Sequence, residues 1–156
     1  MTTLDEYAGR LQEIAHHFAK SATTATSRIY AAEFLTDEVL PSRKLTLAQS
    51  KSWVEDICAA QDIDPPRIER MHARRNLVGA ACSEEHAIAL FAAEVSQLTL
   101  LHELAHLLAP ESGHGVEFRT QFVALARRHI SIEHASLLQT LFGLCGQPAR
   151  WTTTHN

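Results

Sequence analysis

The feature that most constrains this chain is an apolar run broken by three ionisable groups: Leu98-Thr99-Leu100-Leu101-His102-Glu103-Leu104-Ala105-His106-Leu107-Leu108. Helical spacing gathers Leu98, Leu101, Leu104, Ala105 and Leu108 into a wide stripe, which Leu100 and Leu107 extend. A helix apolar on nearly every side belongs in a protein interior. Two imidazoles and a carboxylate in such a helix need partners, because a buried polar group without one costs free energy. Residues i and i+4 lie one turn apart on the same side, so His102 and His106 stand ring beside ring. That spacing lets both hold one metal ion at about 2 Å each. Glu103 lies roughly 100° round the axis, off the ligand pair but within reach of a water on the ion. This is the His-Glu-x-x-His arrangement of zinc hydrolases, with the glutamate as general base.

Two histidines do not complete a catalytic zinc site, which takes three protein ligands and a water. Downstream, Pro110 stops the helix, Glu111-Ser112-Gly113 turns the chain, and His114-Gly115 opens the next helix at Val116-Glu117-Phe118. The glycines flanking His114 let the backbone fold close to the site, and His114 is the expected third ligand. Glu111, Glu117, His129 and His134 are the alternatives. With His114 as ligand, Glu117 is left to orient a histidine from behind. The expected chemistry is metal-assisted hydrolysis. The ion lowers the pKa of a water and polarises a carbonyl, and Glu103 takes the proton and returns it to the leaving amine. Tyr30, Arg128 and His134 are guesses for a further oxyanion donor, and Tyr30 reads more simply as a packing residue.

His102-Glu103-Leu104-Ala105-His106, followed after seven residues by His114-Gly115-Val116-Glu117-Phe118, resembles the SprT-like zinc metallopeptidases. In those, a His-Gly-x-x-aromatic element carries the third histidine ligand. The chain also resembles small actinobacterial His-Glu-x-x-His metallohydrolases, a likeness that extends to Arg28-Ile29-Tyr30-Ala31-Ala32-Glu33. The specific part runs from Leu98 to about Arg128. The resemblance implies an α+β, compact zincin-like domain: helices on a small three-stranded sheet, the metal helix, then a ligand helix. It also implies a strand along the cleft that pairs with extended peptide, and His86–Phe91 is the segment in the right place. Many SprT-like proteins continue into a zinc ribbon, and this chain has no cysteine pairs for one.

Composition narrows the rest. A chain of 156 residues reads as one domain, large enough for a core without disulfides. The net charge of −4 argues against a broad nucleic-acid surface. Ten histidines raise the odds of a chance pair, but the intervening glutamate, the apolar helix and the downstream His-Gly lower them again. Cys58, Cys82 and Cys145 are odd in number and far apart, which reads as free thiols in a reducing compartment. No signal-peptide core and no run of membrane-spanning length is evident. The expectation is a cytoplasmic protein acting on peptide or protein with one Zn2+, its oligomeric state unspecified.

The expected elements follow in order. Leu4–Lys20 is a helix with His16 and His17 at its end, and Ser21–Ser27 a linker, so residues 1–27 form an N-terminal segment. Ile29–Leu40 is a second helix. Thr46 and Gln49 open a third through a capping box, ended near Ala60 by the turn Asp62-Ile63-Asp64-Pro65-Pro66. Three extended segments come next, Arg67–His72, Leu77–Cys82 and His86–Phe91, with Ser83-Glu84-Glu85 as a hairpin loop. Arg67, Arg70, Arg74 and Arg75 form the one basic cluster, read as a solvated strand edge. Ser96 caps the metal helix, Gly115–His129 is the ligand helix, and Ser131 caps a last helix stopped by Gly143. The zincin-like domain is set at residues 28–145 and a loose tail at 146–156, with Trp151 as its tack. Two rival functions stand beside the peptidase: a non-catalytic zinc-fold binding module, and an SprT-like protease recruited to DNA.

Overall fold

The computed structural model describes residues 2–19, 23–74 and 77–152. In chain order its elements are α1 (Leu4–Phe18), α2 (Thr24–Val39), β1 (Lys44–Thr46), α3 (Leu47–Gln61), β2 (Arg67–Arg70), β3 (Gly79–Cys82), β4 (Ala87–Leu90), β5 (Glu94–Ser96), α4 (Gln97–Leu108), α5 (Val116–His129) and α6 (Ile132–Leu144). The class is α+β, as expected. The elements fall into two units, residues 1–41 with 112–156, and residues 42–111.

The first unit is helical. Thr3 and Glu6 close a capping box at the start of α1, with hydrogen bonds of 3.2 and 2.6 Å. The buried side chains of α1, Leu11 and Ile14, belong to a helix packed on α2 and α6. Thr24–Ser27, expected as linker, is instead the first turn of α2. Its polar residues serve as a cap: Thr23 Oγ1 accepts the Thr26 N–H at 3.2 Å, and Ser27 donates to the Thr23 carbonyl at 2.8 Å. Lys20, Ser21 and Ala22 lie outside the described residues.

Phe118 and Phe122 of α5 and Phe142 of α6 are fully buried and meet edge to face, with centroids 5.8 and 6.3 Å apart. Ser131 caps α6 as expected, taking the His134 N–H at 3.1 Å. The helix does not stop at Gly143 but runs to Leu144. The left-handed residue that ends it is Gly146, at φ +73°. There Gly146 N–H bonds the Gly143 carbonyl and Gln147 N–H the Phe142 carbonyl, the paired closure of a glycine-terminated helix. The segment after it, expected to be loose, is anchored as far as Thr152. Arg127 lies 4.7 Å from the Trp151 ring centroid and donates to the Thr152 carbonyl, and Arg150 N–H bonds Thr120 Oγ1 at 3.0 Å.

The second unit holds two small sheets. In one, β2 runs parallel and β3 antiparallel to β4, in the order β2-β4-β3. The β3–β4 hairpin closes through Ser83–His86, where the expected loop lies. His86 adopts φ +49°, and its ring bonds the Asp64 carbonyl at 2.7 Å. The other sheet, not expected, pairs β1 antiparallel with β5 and sets Leu45 opposite Val95. Each of these strands ends on a helix cap: Thr46 closes a capping box with Gln49 on α3, and Ser96 caps α4. Left-handed Asp62, at φ +55°, follows α3 and confirms the turn there. Core side chains of this unit include Val54, Ile57 and Cys58 of α3, Ile68, Ile88 and Leu90 of the sheet, and Leu98, Leu100, Leu101 and Leu104 of α4. Each buried leucine contributes about 1.5–3 kcal/mol over an exposed one.

His129, at the end of α5, generates a pH prediction. Its Nε2 is buried without a hydrogen-bond partner among the described residues. Burial, and then the neighbouring Arg128, push its pKa below the ordinary 6.5. The unfolded chain takes up a proton near 6.5, and the folded ring resists it until lower pH. The ring therefore has no effect above 6.5 and destabilises the fold progressively below it. Urea unfolding at pH 7.5 and pH 5.0 should show a smaller acid loss in His129→Leu than in wild type. Identical losses would place the acid sensitivity elsewhere.

Candidate metal centre

The site is built on α4, and α4 is set in place from its first turn. Three of the N–H groups that a helix start leaves unbonded find partners here. Gln97 N–H bonds the Arg43 carbonyl at 2.9 Å, Leu98 N–H bonds Ser42 Oγ at 3.2 Å, and Thr99 N–H bonds Ser96 Oγ at 3.1 Å. The leucines bury the helix, and His102 and Glu103 are buried with them, at 5% and 6% exposure. His102 Nε2 and His106 Nε2 stand 3.2 Å apart. Two nitrogens bound to one tetrahedral zinc at about 2.05 Å lie roughly 3.3 Å apart, so these two already have ligand spacing. An N–H on one ring facing the bare nitrogen of the other makes the same contact, and a bound ion would take the place of that proton.

The third imidazole comes from the turn after α4. Gly113 takes φ +56°, a conformation that favours glycine. Gly115 is needed for space instead: a Cβ there would lie 2.8 Å from both the carbonyl oxygen and Oγ of Ser112. That close approach lets Ser112 Oγ accept the Phe118 N–H at 3.2 Å, a cap that Gly115 itself lacks. The His114 ring stands edge-on to Tyr30 and Phe118, with centroids 5.4 and 5.0 Å away. One ligand nitrogen from each of His102, His106 and His114 lies within 4.8 Å of the others. Three imidazoles at this separation can hold a metal ion. No other such group of histidine, cysteine and acidic side chains occurs among the described residues.

Glu103 Oε1 is 4.0 Å from His102 Nε2. Its side chain rests on β3 at Gly79, which is buried. A Cβ on Gly79 would meet Glu103 Cγ at 3.2 Å and Oε1 at 3.5 Å. Gly79 has no left-handed φ, so its missing side chain serves space, not conformation. An isolated glycine in a strand signals a close approach, but the sequence does not say what approaches.

The other sequence candidates are used differently. Glu117 pairs with Arg150 at 3.3 Å. Both ring nitrogens of His134 are engaged, with Ser131 Oγ at 2.7 Å and the Leu40 carbonyl at 2.8 Å, which removes it as an oxyanion donor. Arg128 and Glu111 are exposed, and Tyr30 packs between Phe18 and His114. His86–Phe91 fails as a substrate-pairing strand: β4 is the central strand, and its two edges are taken by β2 and β3. In the basic cluster, Arg67 pairs with Glu69 and Glu85, Arg70 bonds the Met71 carbonyl, and Arg74 lies 5.5 Å from the Phe91 ring. Arg75 lies outside the described residues. No helix among the described residues is long and apolar enough to cross a membrane.

No protein-family model, curated protein or solved structure matches the chain.

The geometry predicts one metal equivalent per chain by elemental analysis. At free metal about a hundredfold above Kd, unfolding should cost about 2.7 kcal/mol more than in the metal-free protein. His114→Ala should weaken binding while leaving metal-free stability near wild type. Equal affinity of His114→Ala and wild type would remove His114 from the site.

Proposed function

We propose that this chain is a zinc-dependent metallopeptidase that hydrolyses peptide bonds in a peptide or protein substrate. The observation that carries the reading is a buried carboxylate, Glu103, 4.0 Å from one of three converging imidazoles. A purely structural metal site has no need of that carboxylate. Three nitrogen donors suit zinc over the hard, oxygen-preferring cations. When bound, zinc supplies a water of lowered pKa and a positive centre that polarises a carbonyl.

The chain's own residues supply the rest. His102, His106 and His114 would hold the ion through neutral ring nitrogens. Glu103 accepts the proton as water attacks the carbonyl carbon, then donates it to the departing amine. Burial among leucines and against Gly79 limits its rotamers, which keeps it aimed at that proton.

The strand proposed to receive an extended substrate is β3, not β4. Among the described residues β3 pairs only with β4, which makes it the outer strand of its sheet, and it is the strand that touches Glu103.

Hydrolysis of unfolded casein with added zinc tests the reading. Glu103→Gln should bind zinc as wild type does and lose at least about a hundredfold in rate. Equal rates for the two proteins, or no turnover by wild type, would leave a metal-binding module without this chemistry. Gly79→Ala gives a finer test. Its methyl group displaces the glutamate, so kcat should fall about tenfold to a hundredfold, with KM and zinc affinity close to wild type. A change confined to KM would place Gly79 in substrate binding instead.

A further inference from the structure

Arg119 is a buried cation that the proposed chemistry does not use. It is 8% exposed, and its hydrogen-bond partners among the described residues include no carboxylate. Nη1 donates to the His114 carbonyl at 2.7 Å and, at 3.4 Å, to Gln147 Oε1, while Nε donates to the Pro148 carbonyl at 2.9 Å. A guanidinium buried with only carbonyl dipoles around it is expensive to desolvate, and burial indeed lowers its pKa. An apolar residue would fill this place more cheaply. What the planar fork adds is a fixed connection between two chain segments remote in sequence.

One of those segments is the turn that carries the third imidazole. Gly113 and Gly115 flank His114, and glycine has the widest backbone freedom of any residue. The Gly115 N–H to Ser112 carbonyl bond, at 2.8 Å, closes this turn after His114, and Arg119 adds a hold on the His114 carbonyl itself. The other segment is held independently, by the Arg150 N–H to Thr120 Oγ1 and by Trp151 beneath Arg127. Arg119 therefore ties the glycine-flanked turn to a segment that is fixed independently.

Building on the metal centre read above, we propose that Arg119 is a positioning residue for metal binding. Through the His114 carbonyl it freezes the glycine-flanked turn, so that the third imidazole meets the ion preformed. Groups that hold a ligand from behind typically influence metal affinity about 10–100-fold.

A double-mutant cycle on the full-length chain tests this, reading zinc affinity by competition with a chromophoric chelator. Arg119→Met should bind zinc about tenfold more weakly than wild type. In a His114→Ala background the same change should make no further difference, because the ligand it positions is gone. Thermal unfolding of the metal-free proteins accompanies the cycle and reports general destabilisation separately. Should Arg119→Met fail to fold, Arg119→Lys carries the same cycle, since an ammonium retains the charge but lacks the fork. Equal weakening in both backgrounds, or none in wild type, overturns the proposal and leaves Arg119 as a tether for the C-terminal segment alone. Failure of wild type to take up zinc is a distinct result, which overturns the metal centre itself.

Discussion

Everything in the second unit turns on the burial of His102 and Glu103 in a helix of leucines. The two demands conflict. The leucines gain by leaving water, and the same burial strips solvent from an imidazole and a carboxylate. A helix with only the first property would be served by alanine or leucine at the polar positions. Here His102 and Glu103 are retained at 5% and 6% exposure. The His102 and His106 nitrogens stand 3.2 Å apart, a spacing that suits an ion between them.

Such a pair is useful only if its helix cannot slide or rotate, and the short β1–β5 ladder serves that end. It is only three residues long, yet it pins the three residues before α4 and brings Ser42 and Arg43 to the helix start. The third imidazole is fixed by other means. Its ring is confined edge-on between Tyr30 and Phe118, and its main chain follows a turn that two glycines allow, one by conformation and one by space.

Much of this was legible in the sequence, and what was hidden follows a pattern. Helices with strong local signals were readable: α4 from its apolar stripe, α3 from Thr46 and Gln49, α6 from Ser131. The three histidines were readable because their spacing is itself the chemistry. β1 and β5 were not, since three residues ending in a cap look like the cap alone. Ser21–Ser27 misled for a related reason: serine and threonine are frequent in linkers and in helix starts, and only the observed hydrogen bonds distinguish them. The order of strands in the sheet misled too. A hairpin fixes which strands are neighbours, but not that β2 would add in parallel on the far side and enclose β4. Gly79 and Arg119 act on residues distant in sequence or through main-chain atoms, and no local pattern records such contacts.

The distribution of charge bears on the class of substrate. The basic cluster ahead of β3 is where phosphate contacts would be expected, since electrostatics dominate nucleic-acid affinity. Its described members are already committed: Arg67 to two glutamates, Arg70 to a carbonyl, Arg74 to the Phe91 ring. The chain as a whole carries a net charge of −4. The same region offers instead exposed Leu77 and Val78, which immediately precede the edge strand β3 that touches Glu103, and exposed Met71, which follows β2. A strand edge supplies main-chain donors and acceptors, and exposed apolar side chains at its entrance supply contact area. Both would suit the extended polypeptide substrate proposed above better than a polyanion, and Leu77 and Val78 lead directly into the strand that touches Glu103.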